Sequence, residues 1–130
     1  MTEIEIHDSR VGKVAQESSH IEIHFEPSMV HVSDGKPGVD SCKVYKQDFC
    51  LIFQDASIEG TLPSDYPAWC VDGFLDLNGE KLDNMIPVPL AVKGRIVLEL
   101  TFNTAETFRA LGSAVDLEPR GPRTYLEEFR

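Results

Sequence analysis

The sequence predicts an all-β fold: a single-domain antiparallel β-sandwich or barrel of about 8–10 short strands, with little or no helix. Three observations lead there. Several stretches alternate apolar and polar residues with period two, turn signals recur at intervals of roughly ten residues, and no stretch carries three turns of amphipathic helical spacing. At 130 residues the chain is the size of one domain, and residues 1–130 are read as one unit without internal repeats.

Ile4 and Ile6 point one way and Glu3, Glu5 and His7 the other, which makes a first strand. A second short strand follows around Val11 to Gln16. The cleanest alternation is His20 to Phe25, where Ile21, Ile23 and Phe25 form one stripe and His20, Glu22 and His24 the other. Pro27 lacks a ladder donor and is expected to end this strand, with a separate one resuming from Met29 to Ser33. Asp34 to Gly38 reads as a turn, because two glycines and a proline fall within five residues. Phe49 to Phe53 is a continuous apolar run, suited to a central strand covered on both faces.

Gly60 to Pro67 is expected to be a loop, since two of its residues are prolines. Trp69 to Leu77 and Lys81 to Ile86 should form a hairpin about Asn78-Gly79, the dipeptide that best tolerates a two-residue turn. Gly94 to Phe102 alternates with Ile96, Leu98, Leu100 and Phe102 on one face. Asn103 to Glu106 connects it to Thr107–Val115, where strand is preferred to helix because Phe108 and Ala110 keep the alternation and Gly112 weakens a helix. Pro119 to Pro122 turns the chain into a last strand, Thr124 to Phe129.

Charge sets the first functional constraint. Twelve basic against 22 acidic side chains leave a net charge of −10, so nucleic acid is not an expected partner. The excess lies in residues 1–90, which hold six basic and sixteen acidic residues; 91–130 hold six of each. Such a surface favours a basic partner protein and speeds its association. Apolar runs are too short for a helical membrane span. The opening residues lack the basic and apolar regions of a secretory leader, so a cytoplasmic protein with reduced thiols is expected. Cys42, Cys50 and Cys70 show no C-x-x-C spacing and are read as small buried hydrophobes.

His20, Glu22 and His24 stand at i, i+2 and i+4, so a strand puts all three on one face about 6.5–7 Å apart from one to the next. Two imidazoles and a carboxylate suit a divalent metal such as zinc, and His31 would complete four ligands if its strand paired alongside. A solvated strand face has the same composition. Tyr66, Trp69 and Phe74, around a proline-rich loop, offer aromatic surface for a sugar or other small ligand, a peptide or a partner protein, or else close one end of the core. Arg109, Arg120 and Arg123 could meet an anion or simply balance the acidic residues. Asp76 to Glu80 lacks the twelve-residue spacing of a calcium loop. His7-Asp8-Ser9 has the residue types of a serine triad, but a triad is assembled in space rather than by adjacency.

With no G-x-S-x-G, P-loop, G-x-G-x-x-G or H-E-x-x-H motif, no catalytic residue is assigned. Three functions remain open. The first is a small acidic protein-binding module, of the inhibitor or immunity type, that neutralises a basic partner without a cofactor. The second is a metal-dependent enzyme, or a metal-binding β-sandwich or barrel, using His20, Glu22, His24 and His31. The third is a sandwich that binds carbohydrate or a small ligand through Tyr66, Trp69 and Phe74. Edge strands also leave pairing into a homo-oligomer open.

Overall fold

The computed structural model describes residues 1–33 and 42–129. The expected turn at Asp34 to Gly38 lies outside them. The described residues form eleven strands and no helix: β1 (Thr2–Glu5), β2 (Arg10–Glu17), β3 (His20–Ser33), β4 (Cys42–Gln54), β5 (Ser57–Gly60), β6 (Ala68–Leu77), β7 (Glu80–Asp83), β8 (Met85–Val88), β9 (Ala91–Phe102), β10 (Thr107–Pro119) and β11 (Thr124–Phe129).

Six of them close an antiparallel barrel in the order β2-β3-β4-β10-β9-β6 and back to β2. The closing seam between β6 and β2 is short, pairing Arg10 with Trp69 and Val11 with Ala68. Beyond the barrel, β1 pairs with the second half of β3 and β8 with β1, while β11 covers the start of β4. The remaining edge strands are β5 on β10 and β7 on β6.

Alternation along each strand fills the interior. Ile21, Ile23 and Phe25 of β3, Leu51 and Phe53 of β4, Leu75 of β6, Ile96, Leu98, Leu100 and Phe102 of β9, and Phe108 of β10 are at most 1% exposed. Each such side chain contributes roughly 1.5–3 kcal/mol relative to exposure. Phe102 and Phe108 stack with centroids 5.8 Å apart, tying β9 to β10. In β4 the apolar run is covered on both faces, as the sequence suggests: Cys50 and Ile52 point away from the core yet are 0% and 9% exposed.

Three expectations are corrected. The segments His20 to Phe25 and Met29 to Ser33 are one 14-residue strand, because the β3–β4 ladder slips between Phe25 and Ser28 and accommodates the donorless Pro27 in a bulge. Lys81 to Ile86 is not one return strand. Asn84 adopts a positive φ of 57°, so β7 stays on β6 while β8 leaves to pair with β1. That bend is anchored by three hydrogen bonds: Asn84 N to Gly73 O (2.9 Å), Ile6 N to Asn84 O (3.1 Å) and His7 N to Asn84 Oδ1 (2.7 Å). Ser57 to Gly60, where the sequence reading placed no strand, is the edge strand β5; only Ile58 is partly buried there, too little to show as alternation.

The Asn78-Gly79 turn is formed, with positive φ at both residues and Gly79 N donating to Asp76 Oδ1 at 2.8 Å. Hairpin geometry therefore accounts for Asp76, Asn78 and Gly79.

Two backbones approach closely at Gly73. A Cβ there would lie 2.5 Å from the carbonyl oxygen of Glu99 and 2.9 Å from Ile6 Cγ2, neither able to retreat without moving a strand. Gly73→Ala is therefore expected to cost on the order of 1–3 kcal/mol. Gly121→Ala, with nothing within 4 Å, should change stability by no more than about 0.5 kcal/mol. Urea unfolding of both variants checks this; equal stabilities would contradict the packing of Ile6 and β9 against β6.

Candidate functional site

The outer face of β3 carries His20, Glu22 and His24, because the alternation that commits Ile21, Ile23 and Phe25 to the core leaves them no other side. On one flank β2 sets Glu17, Ala15 and Lys13 beside them. On the other, β4 places Ile52 beside Glu22 and Cys50 beside His24, and β10 adds Asp116 and Glu118 in the next lane.

Glu22 is held from both sides. His20 Nε2 lies 2.9 Å from its Oε2 and His24 Nε2 lies 3.0 Å from its Oε1. Gln54 Nε2 is 3.3 Å from His20 Nδ1, which makes that nitrogen the acceptor and directs the other ring N–H at Glu22. The hydrogen bond to Glu22 raises the His20 pKa, and the bond from His20, more than that from His24, lowers the Glu22 pKa.

Cys50 completes the cluster, its Sγ lying 3.7 Å from His24 Nε2 and 3.9 Å from Glu22 Oε1. Burial, reinforced by the Glu22 carboxylate and opposed by Arg120, pushes its thiol up to about 11. Glu22, His24 and Cys50 each offer a donor atom, and these lie within 4.8 Å of one another. Zinc bonds of about 2.0–2.3 Å in a tetrahedron place neighbouring donors about 3.3–3.8 Å apart. A sulfur and a nitrogen or oxygen donor would stand about 3.5 Å apart, so the two sulfur distances of 3.7 and 3.9 Å would each have to close by a few tenths of an ångström. The Glu22–His24 hydrogen bond would have to open by a few tenths of an ångström.

Of the four expected metal ligands, the structure brings together His20, Glu22 and His24 and separates His31. His31 lies on the same strand, seven residues beyond His24, or about 23 Å at a strand rise of about 3.3 Å per residue. It pairs instead with Glu5 of β1, Nε2 to Oε2 at 3.1 Å. His20 binds the far oxygen of Glu22 and so orients the carboxylate. Sequence reasoning missed Cys50, taken only for a buried hydrophobe; its place at an even position in β4, opposite the outward face of β3, could be read only once the two strands were paired in register.

The three aromatic residues do not form one platform. Tyr66 and Trp69 are exposed, Tyr66 in the loop before β6, but Trp69 lies under the Arg10 guanidinium, 5.4 Å from its ring. Phe74, five residues along β6 and so roughly 16 Å away, lies under Lys81 at 4.6 Å and Arg109 at 5.7 Å. The three arginines likewise have local partners: Arg109 with Glu99 (2.9 Å), Arg120 with Glu118 (3.5 Å) and Arg123 with Gln47 (3.1 Å). Ser9 is buried, donates to Glu5 O at 2.6 Å and accepts from Met29 N at 3.0 Å, so His7-Asp8-Ser9 makes no triad.

Among the described residues, no helix is long and apolar enough to cross a membrane. Comparison with protein-family models, with curated proteins and with solved structures finds no match to this chain.

The three thiols differ in access. Burial pushes Cys70 up to about 12 and Cys50 to about 11, whereas Cys42 is only half-buried. At pH 8 a thiol of pKa about 11 is thiolate in roughly one molecule per thousand. Iodoacetamide at pH 8 is therefore expected to label Cys42 of the metal-free native protein and spare Cys50 and Cys70, with all three labelled in urea. Peptide mass mapping checks this; native labelling of Cys50 as fast as Cys42 would contradict it.

Proposed function

We propose that this protein is a metal-binding β-barrel that takes one borderline or soft divalent cation, zinc being the natural candidate, on the outer face of β3 and β4. Glu22 Oε1, His24 Nε2 and Cys50 Sγ are the ligands. The observation that carries this is the convergence of oxygen, nitrogen and sulfur donors, none further than 3.9 Å from another, on two paired strands of a closed barrel.

The donor chemistry selects the metal. Thiolate and imidazole favour zinc over magnesium or calcium, which take oxygen ligands. His20 supplies the outer-shell hydrogen bond that fixes a ligating carboxylate. Three protein ligands leave a fourth coordination position for water or for a donor from another molecule. The net charge of −10 also draws cations to the surface. Binding releases the Cys50 thiol proton and moves the His24 proton from Nε2 to Nδ1, so that Nε2 can bind the metal, and affinity weakens as the solution becomes more acidic.

The test is calorimetric titration of metal-free, tag-free protein with zinc chloride. One equivalent is expected to bind at micromolar affinity or tighter. Cys50→Ser and His24→Ala should each weaken binding at least tenfold, His20→Ala less, and His31→Ala not at all. Wild-type affinity in Cys50→Ser, or no binding by wild type, would overturn the reading.

A further inference from the structure

We propose that Cys42, His31 and Glu5 form a second site, a thiol–imidazole–carboxylate relay that accepts an acyl group from an activated ester or thioester. It uses other side chains than the metal face and does not depend on that reading. Cys42 Sγ lies 3.5 Å from His31 Nδ1, and His31 Nε2 lies 3.1 Å from Glu5 Oε2. The two ring nitrogens thus face different partners: with the ring proton on Nε2, toward the carboxylate, Nδ1 stands unprotonated beside the thiol. That is the arrangement of a nucleophile, its base and the group that orients the base.

The strands explain how the three meet. Glu3 of β1 pairs with His31 of β3, and Ser33 of β3 with Cys42 of β4. Glu5, two residues from Glu3 on the same side of β1, reaches the imidazole from one flank, and Cys42 reaches it from the other. The bulge between Phe25 and Ser28 is required, because it sends Val30 into the core and so turns His31 outward. All three members are partly exposed: the side chains of His31 and Glu5 are 22% and 32% exposed, and Cys42 is half-buried.

Cys50 lacks this arrangement. The nitrogen of His24 nearest its sulfur is the one already bound to Glu22, and it has no lone pair to offer while it donates there. Burial first, and then the Glu3 and Glu5 carboxylates, hold the Cys42 thiol above its ordinary pKa. The resting sulfur is therefore protonated, and His31 removes the proton as the new bond forms. In the step itself Sγ bonds to the acyl carbon and the bond from that carbon to the leaving oxygen or sulfur breaks. The thiol proton passes through His31 Nδ1 to the leaving group, giving an S-acyl cysteine and a free alcohol or thiol. No oxidant or reductant is needed. Glu5 is a positioning residue that fixes the tautomer.

The experiment uses p-nitrophenyl acetate at pH 7, with nitrophenol release followed by absorbance and the acetylated residue found by peptide mass mapping. Native wild type is expected to take one acetyl group on Cys42 at least tenfold faster than the same chain unfolded in urea, whose thiols react unaided. His31→Gln should abolish that advantage. Glu5→Gln should lose most of it and Glu5→Asp should recover part. The proposal is overturned if the native rate equals or falls below the unfolded rate, if His31→Gln reacts like wild type, or if the acetyl group lands on Cys50 or Cys70.

Discussion

The pairing of β3 with β4 is the constraint on which the rest of the molecule depends. β3 is the longest strand at 14 residues, and its ladder with β4 runs from Ile21 opposite Phe53 to Ser33 opposite Cys42. Its first part belongs to the closed barrel and its second part carries β1 on one side and β11 on the other. Because side chains alternate strictly, the same register that buries Ile21, Ile23, Phe25, Leu51 and Phe53 puts His20, Glu22, His24 and Cys50 on the opposite face. A slip by one residue would send imidazoles and carboxylate into the core and is excluded by the cost of desolvating them.

One extra residue in β3 then reverses the pattern. Without the bulge, odd-numbered residues would continue inward and His31 would enter the core, while Val30 would face out. With it, Val30 is fully buried against β1, and His31 meets Glu5 and Cys42 on the outside. The outer face of a single hairpin thus holds two separate groups of chemistry-bearing side chains, one on each side of the bulge. Each has a carboxylate oxygen 3.0–3.1 Å from an imidazole nitrogen, with a thiol beside the same ring. They differ in arrangement: in one the carboxylate, imidazole and thiol donor atoms lie close to one another, while in the other the imidazole stands between carboxylate and thiol and meets each through a different ring nitrogen.

Much of this fold was legible in the sequence because its signals are local. Period-two alternation in His20 to Phe25 and Gly94 to Phe102, the Asn78-Gly79 dipeptide and the prolines of the 60–67 loop each act within a few residues. The errors arose where the physics is not local. Pro27 reads as a strand end unless a partner strand absorbs it in a bulge, and Asn84 reads as strand unless its positive φ is known. The site was half legible for the same reason. His20, Glu22 and His24 share a strand, so spacing alone places them together, whereas Cys50 joins only through the β3–β4 register, 26 residues away along the chain. Composition weighed the excess of carboxylates and favoured a basic partner, but it carries no information about where donor atoms meet.

The most direct test of the metal face is the absorption spectrum of the protein titrated with cobalt(II) in place of zinc. A thiolate in the coordination sphere gives an intense near-ultraviolet charge-transfer band, and four-coordination gives strong visible bands. The structure predicts both at one equivalent, with the near-ultraviolet band lost in Cys50→Ser. The weak spectrum of hydrated cobalt, or a charge-transfer band that survives in Cys50→Ser, would contradict a site built from Glu22, His24 and Cys50.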